Sequence, residues 1–229
     1  MIAIDGPAGA GKSAAARGLA VRLGLPYLDT GAMYRAVAVA AVHGGVCFPL
    51  DGEGRLRVER LAGTMELAFE GEPSAQRVLL DGRDVTAELR TPEISQLSSV
   101  VSALPGVRRE LVRRQRGIAR DGGVVEGRDI GTVVFPGAPV KVFITAAPEV
   151  RARRRFDELR GRGLTVVWED VLAEQVQRDR RDATRAHSPL RPAEGAVVVD
   201  TSDLTLEQVV QRLVDLVRES LDTELRDSV

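Results

Sequence analysis

The glycine-rich segment at residues 6–13 constrains the fold of this chain more than any other feature. Its sequence, Gly6-Pro7-Ala8-Gly9-Ala10-Gly11-Lys12-Ser13, has the G-x-x-x-x-G-K-[ST] spacing of a phosphate-binding loop. The apolar run at residues 2–4 predicts a buried strand before it, and the alanine-, leucine- and arginine-rich residues 12–23 predict a helix after it. A strand, a glycine loop and a helix in this order predict an α/β fold.

Each residue type in this segment suits a phosphate group. Successive backbone N–H groups and the positive end of a helix attract an anion, and glycines let the backbone approach it closely. Lys12 would reach the β- and γ-phosphates of a nucleotide, and the Ser13 hydroxyl would bind Mg²⁺. A turn that merely joins a strand to a helix is the alternative, but it would not require lysine and serine at these positions. We therefore predict a nucleotide-binding loop.

The rest of the chain predicts strands that alternate with helices. Short apolar runs predict strands at residues 27–28, 124–126, 140–145 and 196–199. Helical composition predicts a helix that follows a cap at Asp29 or Thr30, a helical stretch over 93–120 with a break at Pro105, and a final helix over 206–221. This order predicts a P-loop NTPase-type, doubly wound parallel sheet of about five strands, flanked by helices.

Two segments depart from this alternation. Runs at residues 65–69 and 77–80 read as short strands, and Asp81-Gly82 is a strong hairpin-turn signal after them. We therefore predict an inserted subdomain rich in antiparallel strands over residues 58–92. Residues 151–165 contain six arginines around two glycines, a composition typical of a short mobile lid over phosphates. We expect one domain over residues 1–229, in which the core is formed by 1–57, 93–150 and 166–229.

Composition excludes several functional classes. The net charge of −1 and the 3% content of aromatic residues argue against a protein held on nucleic acid by charge and base stacking. Asparagine is absent, and the guanine-reading Asn-Lys-x-Asp motif of GTPases requires it. Because no long apolar window and no basic segment before an apolar run occur, we expect no membrane span, no signal peptide and a cytoplasmic location. We expect the single Cys47 to be a small buried residue.

Arginine supplies nearly all the positive charge, since Lys12 and Lys141 are the only lysines among 32 basic residues. A raw arginine count is therefore weak evidence for a site, and the placement of each arginine matters more. The strand at residues 124–126 ends in acids interleaved with Arg128, unlike the acidic strand end of a motor ATPase. This pattern favours a second anion beside the nucleotide.

Three further motifs resemble a known family. They are DTGAMYR at residues 29–35, EGRDIGTVVFP at 126–136 and RDRRD at 178–182. Together with the phosphate loop, and in the same order over essentially the whole chain, they are similar to the bacterial cytidylate kinases, whose enlarged nucleoside monophosphate-binding (NMP-binding) domain the insertion resembles. The resemblance implies transfer of the γ-phosphoryl group of ATP to CMP or dCMP, giving ADP and CDP or dCDP.

The resemblance also implies a set of site residues. Those implied to bind ATP are Gly6, Pro7, Ala8, Gly9, Ala10, Gly11, Lys12, Ser13 and Ala14, with Mg²⁺ on Ser13. Those implied to bind CMP are Thr30, Arg35, Ser99, Arg108, Arg128, Asp129, Arg178, Asp182 and Arg185. Those implied to be catalytic are Lys12, Arg128, Arg151 and Arg154. Ala14 departs from the pattern, because relatives often have a hydroxyl residue at this position.

The implied roles follow the chemistry of CMP. Arg35 and Arg128 would hold the acceptor phosphate, because the fork of arginine bonds phosphate oxygens in pairs. Arg178 and Asp182 would contact the ribose, and Ser99, Arg108, Asp129 and Arg185 would surround the base. The Asp129 carboxylate would favour cytosine, whose N4 amine donates, over uracil, which presents an acceptor there.

Several alternatives stay open at this point. Arg35 alone fits a solvated helix face, and residues 178–185 fit ordinary charge pairs along an exposed helix. A sister kinase acting on UMP, AMP or shikimate would share the phosphate loop, as would a regulatory module that binds ATP without transfer. We expect a monomer whose partners are small molecules, with no nucleic acid and no membrane.

Overall fold

The computed structural model describes residues 1–185 and 188–227 of the 229-residue chain. Its contacts divide the chain into two compact units. We call Met1–Leu28 together with Gly122–Val229 the first unit, and Asp29–Asp121 the second unit. No helix in the described part of the chain is both long and apolar enough to cross a membrane.

The regular elements follow one another in the order that the sequence predicts, with additions. The strands are β1 (Ile2–Asp5), β2 (Tyr27–Asp29), β3 (Leu67–Glu70), β4 (Arg77–Leu80), β5 (Arg83–Asp84), β6 (Val124–Glu126), β7 (Val140–Thr145) and β8 (Val197–Asp200). The helices are α1 (Lys12–Leu23), α2 (Thr30–His43), α3 (Gly52–Thr64), α4 (Pro92–Val101), α5 (Pro105–Ile118), α6 (Pro148–Gly161), α7 (Trp168–Thr184) and α8 (Leu206–Asp227).

A five-stranded sheet in the order β2-β6-β1-β7-β8 forms the centre of the first unit. β1 pairs in parallel with both β6 and β7, and β7 pairs in parallel with β8. Fully buried Ile4 and Ile144 of the sheet belong to one apolar cluster with Leu19 of α1 and Leu213 of α8, and burying each such side chain contributes about 1.5–3 kcal/mol. The predicted α/β fold with a parallel sheet flanked by helices is confirmed.

The second unit contains the predicted antiparallel strands. β4 pairs antiparallel with β3 and with β5, and Asp81-Gly82 form the turn between β4 and β5. The unit is wider than the predicted insertion at 58–92, because α2 packs against α3, α4, α5 and β4, and α5 also packs against α3. The boundary lies at Asp29, where β2 gives way to α2.

Two local features differ from what the sequence indicates. α3 was not expected, because its sequence contains Gly52, Gly54 and Gly63, which lower helix propensity. It forms because the Asp51 side chain accepts from Gly54 N at 2.7 Å and Val58 is fully buried. Cys47 is exposed rather than buried.

The predicted lid at residues 151–165 is largely helical in this structure. Its first eleven positions, residues 151–161, all belong to α6, which ends at Gly161, and α6 packs against α7. The guanidinium of Arg153 lies 4.4 Å from the centroid of the Trp168 ring, and Phe156 meets the same ring edge to face with the centroids 5.9 Å apart. Arginines that the sequence assigns to a lid therefore lie within a helix here, and Arg153 stacks on an aromatic ring.

Candidate active site

The glycine loop joins β1 to α1, as the sequence predicts. Gly6 has a φ of 147°, and a Cβ there would lie 1.9 Å from the carbonyl oxygen of Ile144 on β7. Gly9 and Gly11 have φ values of 73° and 87°, in the left-handed region. The loop can follow this path beside the sheet only with glycine at position 6.

Lys12 is the first residue of α1, and its side chain lies across the loop. Its Nζ donates to the carbonyl oxygen of Pro7 at 2.7 Å, and the residue is only 5% exposed. Burial lowers the pKa of Lys12 to about 7, and the positive charges of Arg128 and Arg178 lower it further against the attraction of Glu126. Three cationic groups from three segments therefore lie near one another, an arrangement that an anion would stabilise.

Asp5, at the end of β1, fixes the segment that follows Arg128 and Asp129. Its two carboxylate oxygens accept from the backbone N–H groups of Ile130 at 2.7 Å and Gly131 at 2.8 Å. Burial raises the pKa of Asp5 to about 6, although these two hydrogen bonds act in the opposite direction. The residue just before the phosphate loop thus anchors the π-helical turn Ile130–Val134.

A buried ion pair joins the 126–136 motif to α7. Arg128 Nε donates to Asp182 Oδ2 at 3.0 Å, and Arg185 Nη2 lies 3.9 Å from Asp182 Oδ1. Burial favours the neutral form of Asp182, but the positive charges of Arg128, Arg185 and Arg178 outweigh it and hold the pKa of Asp182 below its usual value. These residues are therefore not the exposed helix pairs that the sequence left as an alternative.

Arg151 and Arg154 of α6 bind carbonyl oxygens of the phosphate loop. Arg151 is 5% exposed, and its guanidinium donates to the carbonyl oxygens of Ala146 and Ala8 and to Asp179. Arg154 donates to Thr201 Oγ1 at 3.0 Å and to the Thr201 carbonyl oxygen at 2.6 Å. Thr201 Oγ1 in turn donates to the carbonyl oxygen of Ala10 at 3.0 Å. Both arginines are therefore next to the loop, and protein groups engage both Nε and Nη1 of Arg151.

The second unit contains the remaining predicted residues. Asp29 caps α2 by accepting from Ala32 N at 2.9 Å, and its other oxygen accepts from Arg35 Nη2 at 2.7 Å. Arg35 is thus held by a carboxylate rather than freely solvated. The guanidinium of Arg108 on α5 lies 5.7 Å from the centroid of the Tyr34 ring on α2.

The other two predicted residues of the second unit occupy helices as well. Thr30 is the buried first residue of α2, and Ser99 is half-buried on α4. The structure therefore brings Lys12, Arg128, Asp129, Arg178, Asp182 and Arg185 together in the first unit, and places Thr30, Arg35, Ser99 and Arg108 in the second.

Sequence reasoning missed several polar residues that support the loop. Asp5 and Gln175 lie outside the predicted motifs, and Asp179 lies within RDRRD without a predicted role. In the structure Asp5 bonds the 126–136 motif, Gln175 bonds the Ala8 carbonyl oxygen, and Asp179 bonds the Arg151 guanidinium. Gln175 carried a signal, because it is four residues after Val171 and seven before Asp182, the spacing of one buried helix face. A polar residue at an apolar position of a helix indicates a buried hydrogen bond.

Comparison with known proteins identifies the family. The family model described as cytidylate kinase matches residues 2–219. The chain belongs to the cytidylate kinase family. A cytidylate kinase from Caldanaerobacter subterraneus subsp. tengcongensis is 48% identical over 225 residues, which cover 98% of this chain and 97% of that protein. A cytidylate kinase from Mycobacterium avium is 50% identical over 221 residues, 96% of this chain and 95% of that protein.

Longer relatives and solved structures add context. A bifunctional pantoate ligase/cytidylate kinase from Synechococcus sp. is 50% identical over 226 residues, 97% of this chain but 41% of that protein. The chain thus spans less than half the length of this relative. A gluconokinase structure from Sinorhizobium meliloti matches with a TM-score of 0.39 and 18% identity over 98% of this chain and 95% of that one.

Membership of the cytidylate kinase family confirms the resemblance that the sequence motifs carry. The roles of individual residues stay predictions, because the family match concerns the chain as a whole. The structure adds that buried Lys12 of the loop lies close to Arg128 and Arg178, which belong to two other segments.

Proposed function

We propose that this protein transfers the γ-phosphoryl group of ATP to CMP or dCMP, giving ADP and CDP or dCDP. The observation that carries the proposal is the cluster of Lys12, Arg128 and Arg178, in which the phosphate-loop lysine lies beside arginines of two family motifs. Family membership over residues 2–219 and two full-length cytidylate kinase relatives support the choice of acceptor.

The charge of the two substrates explains why several cations are needed. ATP carries roughly four negative charges and a monophosphate adds about −1.5 to −2, so about six must be brought together. Mg²⁺ and Lys12 offset about half of them. Arg128, Arg178 and Arg185 supply further positive charge from the same unit, and Asp182 fixes the direction of Arg128.

Mg²⁺ fits the residues of the loop. The ion keeps several waters and usually takes one or two protein oxygens together with phosphate oxygens. Ser13, half-buried at the start of α1, would supply the hydroxyl ligand. Among the described residues, no group of three or more His, Cys, Asp or Glu is placed to hold a metal without a substrate. When bound with ATP, the ion would neutralise charge on the β- and γ-phosphates.

Transfer needs little covalent help from the protein. The attacking atom is a phosphate oxygen of the acceptor, so no side-chain nucleophile is required, and positioning with charge neutralisation supplies the rate enhancement. Arg128 and Lys12 are proposed to contact the transferring group, with Arg154 at the edge of the loop. Arg151, which Ala146, Ala8 and Asp179 engage, is better suited to support the loop.

The acceptor roles are proposed separately for the two units. In the first unit, Asp129 is proposed to read the cytosine amine, Asp182 and Arg178 to contact the ribose, and Arg185 to lie at the base. In the second unit, Arg35 is proposed to hold the acceptor phosphate, with Thr30, Ser99 and Arg108 contributing to nucleoside binding. Monomeric state and cytoplasmic location stay expectations from the sequence.

A substrate panel tests the proposed function. ADP release is measured with Mg²⁺-ATP and, in turn, CMP, dCMP, UMP, AMP, GMP and shikimate. We expect CMP and dCMP to give the largest kcat/KM. Turnover with AMP or shikimate equal to that with CMP would favour a sister kinase, and ADP release independent of any acceptor would favour an ATP-binding module of another class.

Replacing Asp129 with alanine is expected to reduce discrimination between acceptors. The buried carboxylate, 4% exposed, accepts from a cytosine amine but repels the uracil oxygen at the same position. Losing it should lower the ratio of kcat/KM for CMP over UMP by about tenfold or more. The control is Asp121→Ala, because that carboxylate is exposed and pairs with exposed Arg120. A ratio equal to the wild-type ratio would contradict base reading by Asp129.

A further inference from the structure

Three linked side chains hold one carbonyl oxygen of the phosphate loop. The carbonyl oxygen of Ala8 accepts from Gln175 Nε2 at 2.9 Å and from Arg151 Nη1 at 3.2 Å. Asp179 joins the two donors, because its Oδ2 accepts from Arg151 Nη1 at 2.7 Å and its Oδ1 from Gln175 Nε2 at 3.3 Å. We call Arg151, Gln175 and Asp179 the Ala8 clamp.

The clamp fixes the orientation of one peptide group. A trans peptide is planar, so the carbonyl oxygen of one residue and the N–H of the next point to opposite sides of the chain. Holding the Ala8 oxygen toward α6 and α7 therefore turns the Gly9 N–H away from these helices. That N–H is one of the donors that a phosphate-binding loop directs at its anion.

The backbone around Gly9 is shaped by the same contact. Gly9 has a φ of 73°, and a Cβ there would lie 2.9 Å from the carbonyl oxygen of Arg151 and 3.0 Å from its Cβ. α6 thus reaches the loop closely enough for Arg151 to bond the Ala8 oxygen. Glycine at position 9 permits both the left-handed conformation and this approach.

Gln175 is the member of the clamp whose presence is hardest to explain otherwise. It is 6% exposed on α7, where an apolar side chain would pack without needing a hydrogen bond. Its amide carries no net charge, so it cannot serve by neutralising phosphate. What it supplies is a directed N–H, and Asp179, one turn later on α7, holds that amide in place.

We propose that Gln175 and Asp179 are positioning residues for the donor phosphate: through the Ala8 carbonyl they direct the Gly9 N–H at the phosphates of the nucleotide. This inference rests on the proposed function only in that the loop binds ATP. It does not depend on the identity of the acceptor.

The test measures ligand binding apart from turnover. Gln175→Met keeps the volume of the side chain and removes the donor, and Gln177→Met is the matched control, because Gln177 is exposed on the same helix. Dissociation constants are measured by calorimetry for ATP, inorganic tripolyphosphate and CMP, together with Tm. We expect Gln175→Met to weaken ATP and tripolyphosphate about tenfold each, and CMP less than twofold, while Gln177→Met matches the wild type.

Each result decides between positioning and a merely structural role. An equal loss for ATP and CMP, or a loss for ATP but none for tripolyphosphate, would overturn the proposal. Unchanged affinity for tripolyphosphate in Gln175→Met would overturn it as well. If wild-type protein binds no ATP, the proposed function fails instead, and this is seen before any variant is compared.

A second variant tests the clamp without changing Gln175, in case Gln175→Met impairs folding. Asp179→Asn keeps the volume and one acceptor oxygen but removes the charge that holds Arg151, and this side chain is 25% exposed, so the substitution should be tolerated. We expect a loss of about threefold in tripolyphosphate affinity with little change for CMP. Wild-type affinity for tripolyphosphate in this variant would contradict the role of Asp179.

Discussion

Lys12→Ala is expected to reduce turnover about a thousandfold or more. The side chain is buried and already lies across the loop on the Pro7 carbonyl oxygen, whereas the second lysine, Lys141, bonds the Glu194 carbonyl oxygen. Charged groups that contact a transferring phosphoryl group contribute about 10³-fold or more to kcat. The measurement is steady-state ADP release with saturating CMP and Mg²⁺-ATP.

The matched control is Lys141→Ala, which removes the other lysine of the chain from a partly exposed position on β7. We expect wild-type kcat in this variant. A Lys12→Ala enzyme with kcat within a few-fold of the wild type would show that the loop does not hold the donor as proposed.

The lowered pKa of Lys12 gives a second measurement on the same residue. Burial and the neighbouring arginines bring this pKa to about 7, so above pH 7 the amine of the free protein is largely neutral. Bound phosphates favour the charged amine and raise its pKa again. ATP binding at pH 8 should therefore take up protons, seen in calorimetry as a heat that varies with the ionisation enthalpy of the buffer. Lys12→Ala should lose that dependence.

Asp182→Ala is expected to cost both stability and activity. Removing one partner of a buried ion pair leaves Arg128 uncompensated, so the free energy of unfolding should fall by about 3–5 kcal/mol. Arg128 would also lose its orientation, and kcat/KM for CMP should fall about 100-fold, equivalent to about 2.7 kcal/mol. Asp157→Ala is the control, because Asp157 is exposed on α6.

The comparison of CMP with dCMP separates two roles for Asp182. If its carboxylate accepts from the ribose 2′-hydroxyl, CMP should lose more kcat/KM than dCMP, because dCMP lacks that group. Equal losses would assign Asp182 to the positioning of Arg128 alone. The pKa of Asp182 is below its usual value, so the stability from this pair is present above the unfolded pKa of about 4 and is lost as the pH falls through the lowered pKa.

The sequence predicted the parts of the site that depend on interactions between residues close together in the chain. The phosphate loop, β1 and α1 were evident because glycine spacing, an apolar run and helix propensity agree within the first 23 residues. The cap of α2 at Asp29 was predictable for the same reason, since a short acidic side chain favours that position.

What the sequence did not reveal depends on contacts between distant segments. Asp5 bonds the backbone of residues that lie 125 and 126 positions later. α3 has unfavourable local propensity and forms through the packing of Val58 and Ala62 in the second unit. Arginines at 151 and 153 have the composition of a lid but are occupied by Asp179 and by the Trp168 ring. Tertiary contacts outweighed local composition in each case.

Helix α7 also limits how this chain can change by insertion or deletion. Gln175 and Asp182 are seven residues apart, which is about two turns or about 10 Å, so one face of a single rod supports the Ala8 carbonyl and orients Arg128. Adding one residue between them would rotate the later turn by about 100° and move Asp182 off that face. Substitutions on the exposed side of α7 should therefore be tolerated. An insertion or deletion between Gln175 and Asp182 should not be, because it changes the spacing that both contacts require.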